Sequence, residues 1–293
     1  MDQAEQLRNI IKRQNQPDSM SRVITVTSGK GGVGKSNISV NLAINLSRQG
    51  KRVVILDADF GLANVEVMLG IRPKYNMADL MFRGKELQDI ITKGPENIGF
   101  ISGGSGIQEL TNVTKSQITY LTQKLYELDS LADIIIIDTG AGITDSVLEF
   151  VTASSEVLLV ATPEPTSITD AYALLKILNR KIEFSSNHTA IKMIANRVDS
   201  KEAGKQLYTK LNLVVERFLT VKMEYLGGIP QDSYVTKAVM QQKPYSILYP
   251  NAPSSRAVYE IANILCDNVS EKTQPSVGIA GLFSNLLRIK TKK

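Results

Sequence analysis

The sequence predicts an α/β fold with a doubly wound, mostly parallel sheet and helical extensions at both ends. Three observations lead there. Apolar, β-rich runs recur between Arg22 and about Asn268, at 22–27, 52–57, 99–102, 132–138, 157–162 and 191–197, with helical patterns between them. Two of these runs end in carboxylates, Asp57 with Asp59, and Asp138, as buried parallel strands do when they deliver acids to the carboxyl edge of a sheet. A glycine-rich loop, 28–36, joins the first strand to the first helix. Composition shifts divide the chain into an N-terminal helix and linker (1–20), a core domain (21–270) and a C-terminal amphipathic tail (271–293).

The composition bounds the function. With 293 residues, 43% apolar and 22% charged, the chain can bury a large core. Its single cysteine, Cys266, allows no internal disulfide and no cysteine metal cluster within one chain. Among Ile261, Ile264 and Leu265 it is expected to pack on a helix face, and a reducing cytosol fits. The first residues, with Asp2, Glu5 and several glutamines, lack the apolar core of a signal peptide. No apolar stretch approaches the roughly 18 residues of a membrane span. A net charge of +5 is mild and does not by itself point to nucleic acid. The only histidine, His188, sits between Asn187 and Thr189 and reads as a surface turn residue.

Residues 2–14 carry a short apolar stripe, Leu7, Ile10 and Ile11, among polar neighbours, and 16–19 reads as a linker. Alone, such a helix is marginal in water, so a disordered tail and a helix that folds onto a partner both remain open. Arg22–Thr27 is the first strand. The loop after it fits G-x-x-x-x-G-K-[ST], from Gly29 through Lys30, Gly31, Gly32, Val33 and Gly34 to Lys35 and Ser36, with Asn37 opening the helix. Glycines let backbone N–H groups curl round a polyphosphate, and the following helix turns its positive end to the same anion. Lys35 supplies a charge to the outer phosphates, and the Ser36 hydroxyl can ligate Mg²⁺. Ile38, Val40, Leu42, Ile44 and Leu46 mark the helix that packs on the sheet. This pattern implies a nucleoside triphosphate ligand.

Lys30 is not needed by an ordinary phosphate loop, and K-G-G-x-G-K-[ST] resembles the deviant Walker A loop of the MinD/ParA/nitrogenase-iron-protein ATPases. The resemblance implies ATP/ADP and Mg²⁺ as cofactors. It also implies an ATP-sandwich homodimer in which Lys30 reaches the partner's nucleotide. The N-terminal stretch Asp2-Gln3-Ala4-Glu5-Gln6-Leu7-Arg8 resembles the D-Q-A-x-x-L-R motif of the FlhG (YlxH) subgroup, regulators of flagellar number and placement. By that resemblance Gln3, Leu7 and Arg8 contact the GTPase FlhF and stimulate it, with Gln3 aimed at its active site. Flagellar C-ring or switch proteins are further implied partners.

The next strand ends in Asp57-Ala58-Asp59-Phe60-Gly61-Leu62-Ala63-Asn64, which resembles the family's switch I pattern, D-x-D-x-x-x-x-N. The match implies that Asp59 orients or deprotonates the attacking water and that Asp57 stands behind the metal. Residues 65–97 read as short helices punctuated by Pro73, Gly84, Gly94 and Pro95. The glycine turn after 99–102 is not followed by a lysine and helix, so it is no second nucleotide site. Residues 132–138 form the clearest buried strand, a Walker B element that places Asp138 to hold Mg²⁺ through water. Asp138-Thr139-Gly140-Ala141-Gly142 resembles switch II, with Gly140 where many relatives carry proline.

A strand over 157–162 is stopped by Pro163 and Pro165, and Thr166, Ser167 or Thr169 caps a helix with Ala171, Leu174, Leu175 and Leu178 on its apolar face. The strand 191–197 ends in Asn196-Arg197, which resembles the family's base-recognition pair; the Asn196 amide has the donor and acceptor that adenine presents. Residues 225–232 resemble the G-x-[IL]-P-x-D stretch, so Pro230, Gln231 and Asp232 are expected to close over the base.

In the tail, Ile279, Leu282, Phe283, Leu286 and Leu287 fall at helical spacing, followed by Arg288, Lys290, Lys292 and Lys293. A basic amphipathic helix of this kind suits an anionic membrane surface, and a helix docked on its own domain is the alternative. Both hold if it is stowed without ATP and released on dimerisation. The resemblance then implies a cytoplasmic protein, peripheral at the inner face of the cell membrane in the ATP state. A MinD cell-division regulator shares the core motifs but leaves the Gln3 helix unexplained. A ParA-type DNA-segregation ATPase is disfavoured by the amphipathic tail.

Overall fold

The computed structural model describes residues 20–59, 64–103, 115–181, 189–267, 278–279 and 281–282. Its centre is an eight-stranded sheet in the order β3-β4-β2-β5-β1-β6-β7-β8. The strands are β1 (Arg22–Thr27), β2 (Val53–Ala58), β3 (Thr92–Lys93), β4 (Gly99–Ser102), β5 (Ile134–Thr139), β6 (Glu156–Ala161), β7 (Ala190–Val198) and β8 (Met223–Pro230). All ladders are parallel except the short β3–β4 pair at one edge. The expected doubly wound sheet is therefore observed, and β8 and β3 add two strands that the sequence pattern did not separate from their loops.

Helices α1 (Lys35–Arg48), α2 (Asn64–Leu69), α3 (Met77–Phe82), α4 (Leu87–Ile90), α5 (Lys115–Leu131) and α6 (Asp145–Ala153) occupy the first half of the chain. The second half adds α7 (Pro165–Asn179), α8 (Lys201–Phe218), α9 (Ser233–Met240), α10 (Tyr245–Leu248) and α11 (Pro253–Asp267). Period-2 alternation in the strands sends side chains to two faces. Ile24, Val26, Ile55, Ile136 and Leu158 meet Ile38, Leu42, Val258 and Ile261 of α1 and α11 on one face. On the other, Val23, Leu56, Ile135 and Ile137 meet Leu125 and Leu128 of α5, and Val157, Leu159 and Met193 meet Leu174 of α7 and Leu207 of α8. Cys266 is half-buried against the first of these clusters, as a packing cysteine should be. His188 lies outside the described residues.

At the amino end of the central strands, Glu156 is held by Arg22 through Nε at 2.7 Å and Nη2 at 2.8 Å, and by Lys192 Nζ at 2.9 Å. Burial pushes the Glu156 carboxyl up, but the two cations overcome it and its pKa stays below the ordinary value. Asp57 and Asp138 stand at the opposite, carboxyl end of the sheet, near the ends of β2 and β5.

Candidate active site

The carboxyl edges of β1, β2 and β5 converge on one point. Register pairing sets Asp57 beside Asp138 and Val26 beside Asp138, so the phosphate loop leaving β1 lies over both acids. Gly34 ends the loop at φ 100°, a left-handed conformation that favours glycine, and a Cβ there would come within 2.5 Å of Asn196 Nδ2. Gly29 has a different reason. A Cβ on it would lie 2.2 Å from the Asp170 carbonyl of α7.

Lys35 is buried, 7% exposed, with Nζ donating to Ser28 Oγ at 3.1 Å. Burial lowers its pKa, and the nearby Asp138 and Asp59 act against that shift. Asp138 is fully buried; its Oδ1 accepts from Ser39 Oγ at 2.9 Å. Its Oδ2 carries no hydrogen bond among the described residues. Burial pushes the Asp138 carboxyl up to about 6, against the hydroxyls of Ser36 and Ser39 and the Lys35 charge. Asp57 accepts from the Asp59 N–H on Oδ1 and from the Val65 N–H on Oδ2, each at 3.1 Å. Burial and then the Asp138 charge raise it to about 7.

These features test the site for a divalent cation. A hydroxyl at Ser36 and an orphaned carboxylate oxygen at Asp138 are hard oxygen donors of the sort Mg²⁺ takes. No group of three or more His, Cys, Asp or Glu is placed to cage a metal among the described residues. The Ser36 and Asp138 oxygens suit an ion held by one or two protein oxygens together with substrate phosphates. Asp57, fastened to two backbone amides, is positioned to support Asp138 from behind.

Asp59 is half-buried, and its Oδ2 accepts from Asn64 Nδ2 at 2.9 Å. Gly140 faces it closely: a Cβ at 140 would lie 3.4 Å from Asp59 Oδ1. The two predicted switch segments thus lie close together. Lys30 points elsewhere, its Nζ donating to Glu164 Oε2 at 2.5 Å and Thr166 Oγ1 at 2.7 Å. The predicted base-recognition stretches are neighbours, since Asn196 pairs with Ile229 and Val198 with Pro230 across β7–β8. Asn196 Nδ2 donates to Val33 O at 2.7 Å and Arg197 Nη2 to Gly32 O at 2.8 Å, so both brace the phosphate loop. Asp232 caps α9 through the Tyr234 N–H at 2.9 Å and takes the Ser254 hydroxyl at 2.8 Å. Gln231 N donates to Val198 O at 2.9 Å, and Asn37 O accepts from Asn41 within α1.

Sequence comparison supplies the family. A profile of the ParA family, described as NUBPL iron-transfer P-loop NTPase, matches residues 19–266. The antiactivator FleN of Pseudomonas aeruginosa is 44% identical over 241 residues, covering 82% of this chain and 85% of that one. The chain belongs to the ParA/MinD family of P-loop ATPases. Another relative, the flagellum site-determining protein YlxH of Helicobacter pylori, is 34% identical and covers 98% of each chain. Among solved structures, the MinD protein of Pyrococcus horikoshii OT3, complexed with Mg-ADP, aligns over 86% of this chain with a TM-score of 0.65 at 23% identity. The MinC:MinD complex of Aquifex aeolicus gives 0.65 at 24% identity over 87% of this chain. These likenesses show the ParA/MinD fold.

Within that family fold, several residues the sequence reading passed over complete the site. Ser39 follows Ser36 by one helical turn, a spacing that carries the signal in principle. Ser28 and Asn64 lay inside quoted motifs without a role of their own. Glu164 and Thr166 could not be linked to Lys30 by spacing, because β1 and β6 are joined only through the sheet. Gln3, Leu7 and Arg8 lie outside the described residues, as do Phe283, Leu286, Leu287 and Arg288. Ile279 and Leu282 are 0% and 1% exposed, packed with Leu125, Leu128, Met77 and Leu80. In this state they face the domain's own core.

Proposed function

We propose that this protein is an ATP-dependent, dimerising regulator of flagellar number and placement that cycles on and off a membrane surface. The observation that carries the reading is the YlxH match, which spans 98% of both chains and so includes residues beyond the ATPase core. FleN, named an antiactivator, supports the same assignment over the core.

The site geometry supports the chemistry. Backbone amides of Gly29–Ser36 wrap the phosphates of ATP, with the buried Lys35 ammonium placed for the outer ones. Ser36 and Asp138 hold Mg²⁺, which neutralises charge on the phosphates when bound. Asp57, tied to the amides of Asp59 and Val65, keeps that corner fixed. Asp59, oriented by Asn64, aligns the attacking water. Lys30 leaves Glu164 and reaches the nucleotide of a second copy, so hydrolysis and dimerisation are linked. Asn196, Arg197 and the Pro230–Asp232 stretch form the adenine side.

Residues 1–20 act as a separate arm whose Gln3, Leu7 and Arg8 engage an FlhF-type GTPase and stimulate it. Residues 271–293 carry the membrane contact through Ile279, Leu282, Phe283, Leu286, Leu287 and Arg288, once the first two leave their docked position. C-ring or switch proteins are the remaining partners. The deciding experiment is GTP hydrolysis by purified FlhF with and without a peptide of residues 1–20, repeated with Gln3→Ala. Stimulation lost with the substitution supports the flagellar reading. No stimulation favours a MinD-like division regulator, to which the chain is also similar at 32% identity over 84% of its length.

A further inference from the structure

One buried carboxylate, far from the nucleotide site, is shared by the two ends of the core domain. Asp129, near the end of α5, is 2% exposed. Its Oδ1 accepts two hydrogen bonds, one from the Ser21 hydroxyl and one from the Ile279 backbone N–H at 2.9 Å. Ser21 is itself 1% exposed and stands immediately before β1, at the point where the N-terminal arm joins the domain. Ile279 opens the apolar stripe of the C-terminal tail.

The approach is specific. Gly278 has φ 61°, and a Cβ on it would lie 2.6 Å from Asp129 Oδ2. Only glycine lets the tail backbone come this close to the carboxylate. The next turn then seats Ile279 and Leu282 among Leu125, Leu128, Met77, Leu80 and Phe150. The tail therefore covers Asp129 while it packs.

We infer that Asp129 couples the two arms of the protein: displacing Ser21 from it loosens the tail. The inference rests on the membrane reading above for what the tail does after release, and on the partner reading for what moves Ser21. The physical basis is the cost of a buried carboxylate, which is tolerable only while its oxygens are hydrogen-bonded. In the docked state the Ser21 hydroxyl and the Ile279 N–H both stabilise the buried charge at Oδ1. Loss of the Ser21 donor takes one hydrogen bond from the covered carboxylate, and uncovering it to water makes that loss good. The docked state loses and the released state does not. A partner that grips residues 2–14 and draws Ser21 away thus favours a tail free to meet a lipid surface.

The test reads tail exposure without lipid. In a Cys266→Ser chain carrying Leu282→Cys as reporter, the rate of maleimide labelling is measured without nucleotide. Adding Ser21→Ala or Asp129→Ala is expected to speed labelling roughly tenfold, the effect of about 1.4 kcal/mol on an opening equilibrium. Ser21→Thr, which keeps the hydroxyl, is expected to restore the slow rate. Circular dichroism and nucleotide binding confirm that each variant is folded, and Ser21→Ala alone decides the matter if Asp129→Ala is not. Rates within about twofold of the parent overturn the inference.

Adding an FlhF-type GTPase to the reporter chain is expected to act like Ser21→Ala. No acceleration, with GTP hydrolysis stimulated in the same tube, overturns the link to the N-terminal arm. Unstimulated hydrolysis overturns the partner reading instead, and Ser21→Ala still decides the anchor. Co-sedimentation of the chain with native Leu282 on phosphatidylglycerol vesicles separates the membrane reading. Faster labelling without vesicle binding sinks that reading and leaves the anchor, whereas ATP-dependent vesicle binding with unchanged labelling does the reverse.

Discussion

Lys30 and Glu164 are joined within one chain, Nζ to Oε2 at 2.5 Å, although the lysine belongs to the phosphate loop. The Lys30 ammonium holds the Glu164 carboxyl below the usual carboxylate range. Both side chains are well exposed, at 33% and 51%, so solvent screens the pair and it is readily given up. Lys35, by contrast, is buried under the loop. The two lysines of one motif therefore stand in different surroundings, and the proposed function gives them separate tasks.

That division is measurable. Lys35→Ala is expected to weaken binding of a fluorescent ATP analogue about a hundredfold or more, since the outer phosphates lose a desolvated charge. Lys30→Ala should leave that affinity within a few-fold, yet abolish ATP-dependent self-association and cut hydrolysis by at least tenfold. Nucleotide titration and light scattering after size-exclusion chromatography check both. Equal loss of nucleotide affinity in the two variants would remove the distinction.

The loop was legible in the sequence because its chemistry is local: turn glycines, lysine and hydroxyl stand at fixed offsets. Asp57 and Asp138 were legible as strand-end acids because a buried parallel strand reads as a continuous apolar run. The sheet order was not, for parallel pairing of β2 with both β4 and β5 leaves no trace in either run. β8 was hidden by Gly227, Gly228 and Pro230, residues that weaken a strand signal. The hold of Glu164 on Lys30 and of Asp129 on Ile279 are tertiary contacts between distant segments. No spacing rule reaches them.

Asp57 should make the stability of the nucleotide-free protein depend on pH. Its folded pKa, about 7, is above its unfolded value of roughly 3.9. A raised pKa means that the folded state holds the proton more tightly. The stabilisation is complete below about pH 4 and is lost as pH rises through about 7. Asp57→Asn removes this loss at the expense of one acceptor for a backbone amide. Relative to the parent, the variant should gain about 2–3 kcal/mol between pH 5 and pH 8. Urea unfolding at the two pH values checks it, and a difference that does not change with pH counts against the raised pKa.

Glu156 gives the opposite sign. Its pKa is lowered, so its contribution is present above the unfolded carboxyl value and lost as pH falls through the folded one. Glu156→Gln leaves Arg22 and Lys192, whose side chains are 15% and 11% exposed, without their carboxylate. Breaking a buried pair in this way costs about 3 kcal/mol. Denaturation at pH 7 should show the loss, with nucleotide affinity nearly unchanged because the cluster lies at the other end of the strands. Parental stability at pH 7 would mean that water already screens the cluster.

On the proposed mechanism, the timing of the cycle depends on Asp59. Its carboxylate accepts from Asn64 Nδ2 and lies close to Gly140, outside the phosphate-loop segment 28–36. Removing it should spare ATP binding, which the proposal assigns to Lys35 and the loop amides, while removing the group it assigns to water alignment. Asp59→Ala is therefore expected to slow hydrolysis by about 10²–10⁴-fold with ATP affinity within a few-fold of the parent. Because ATP persists, the variant should accumulate as the ATP-bound dimer and stay on anionic vesicles longer than the parent. Asn64→Ala removes only the orienting hydrogen bond and should give a smaller loss of the same kind. Single-turnover hydrolysis with a parallel sedimentation assay separates these effects. An Asp59→Ala chain that hydrolyses ATP at the parental rate would move the water-aligning role to another residue.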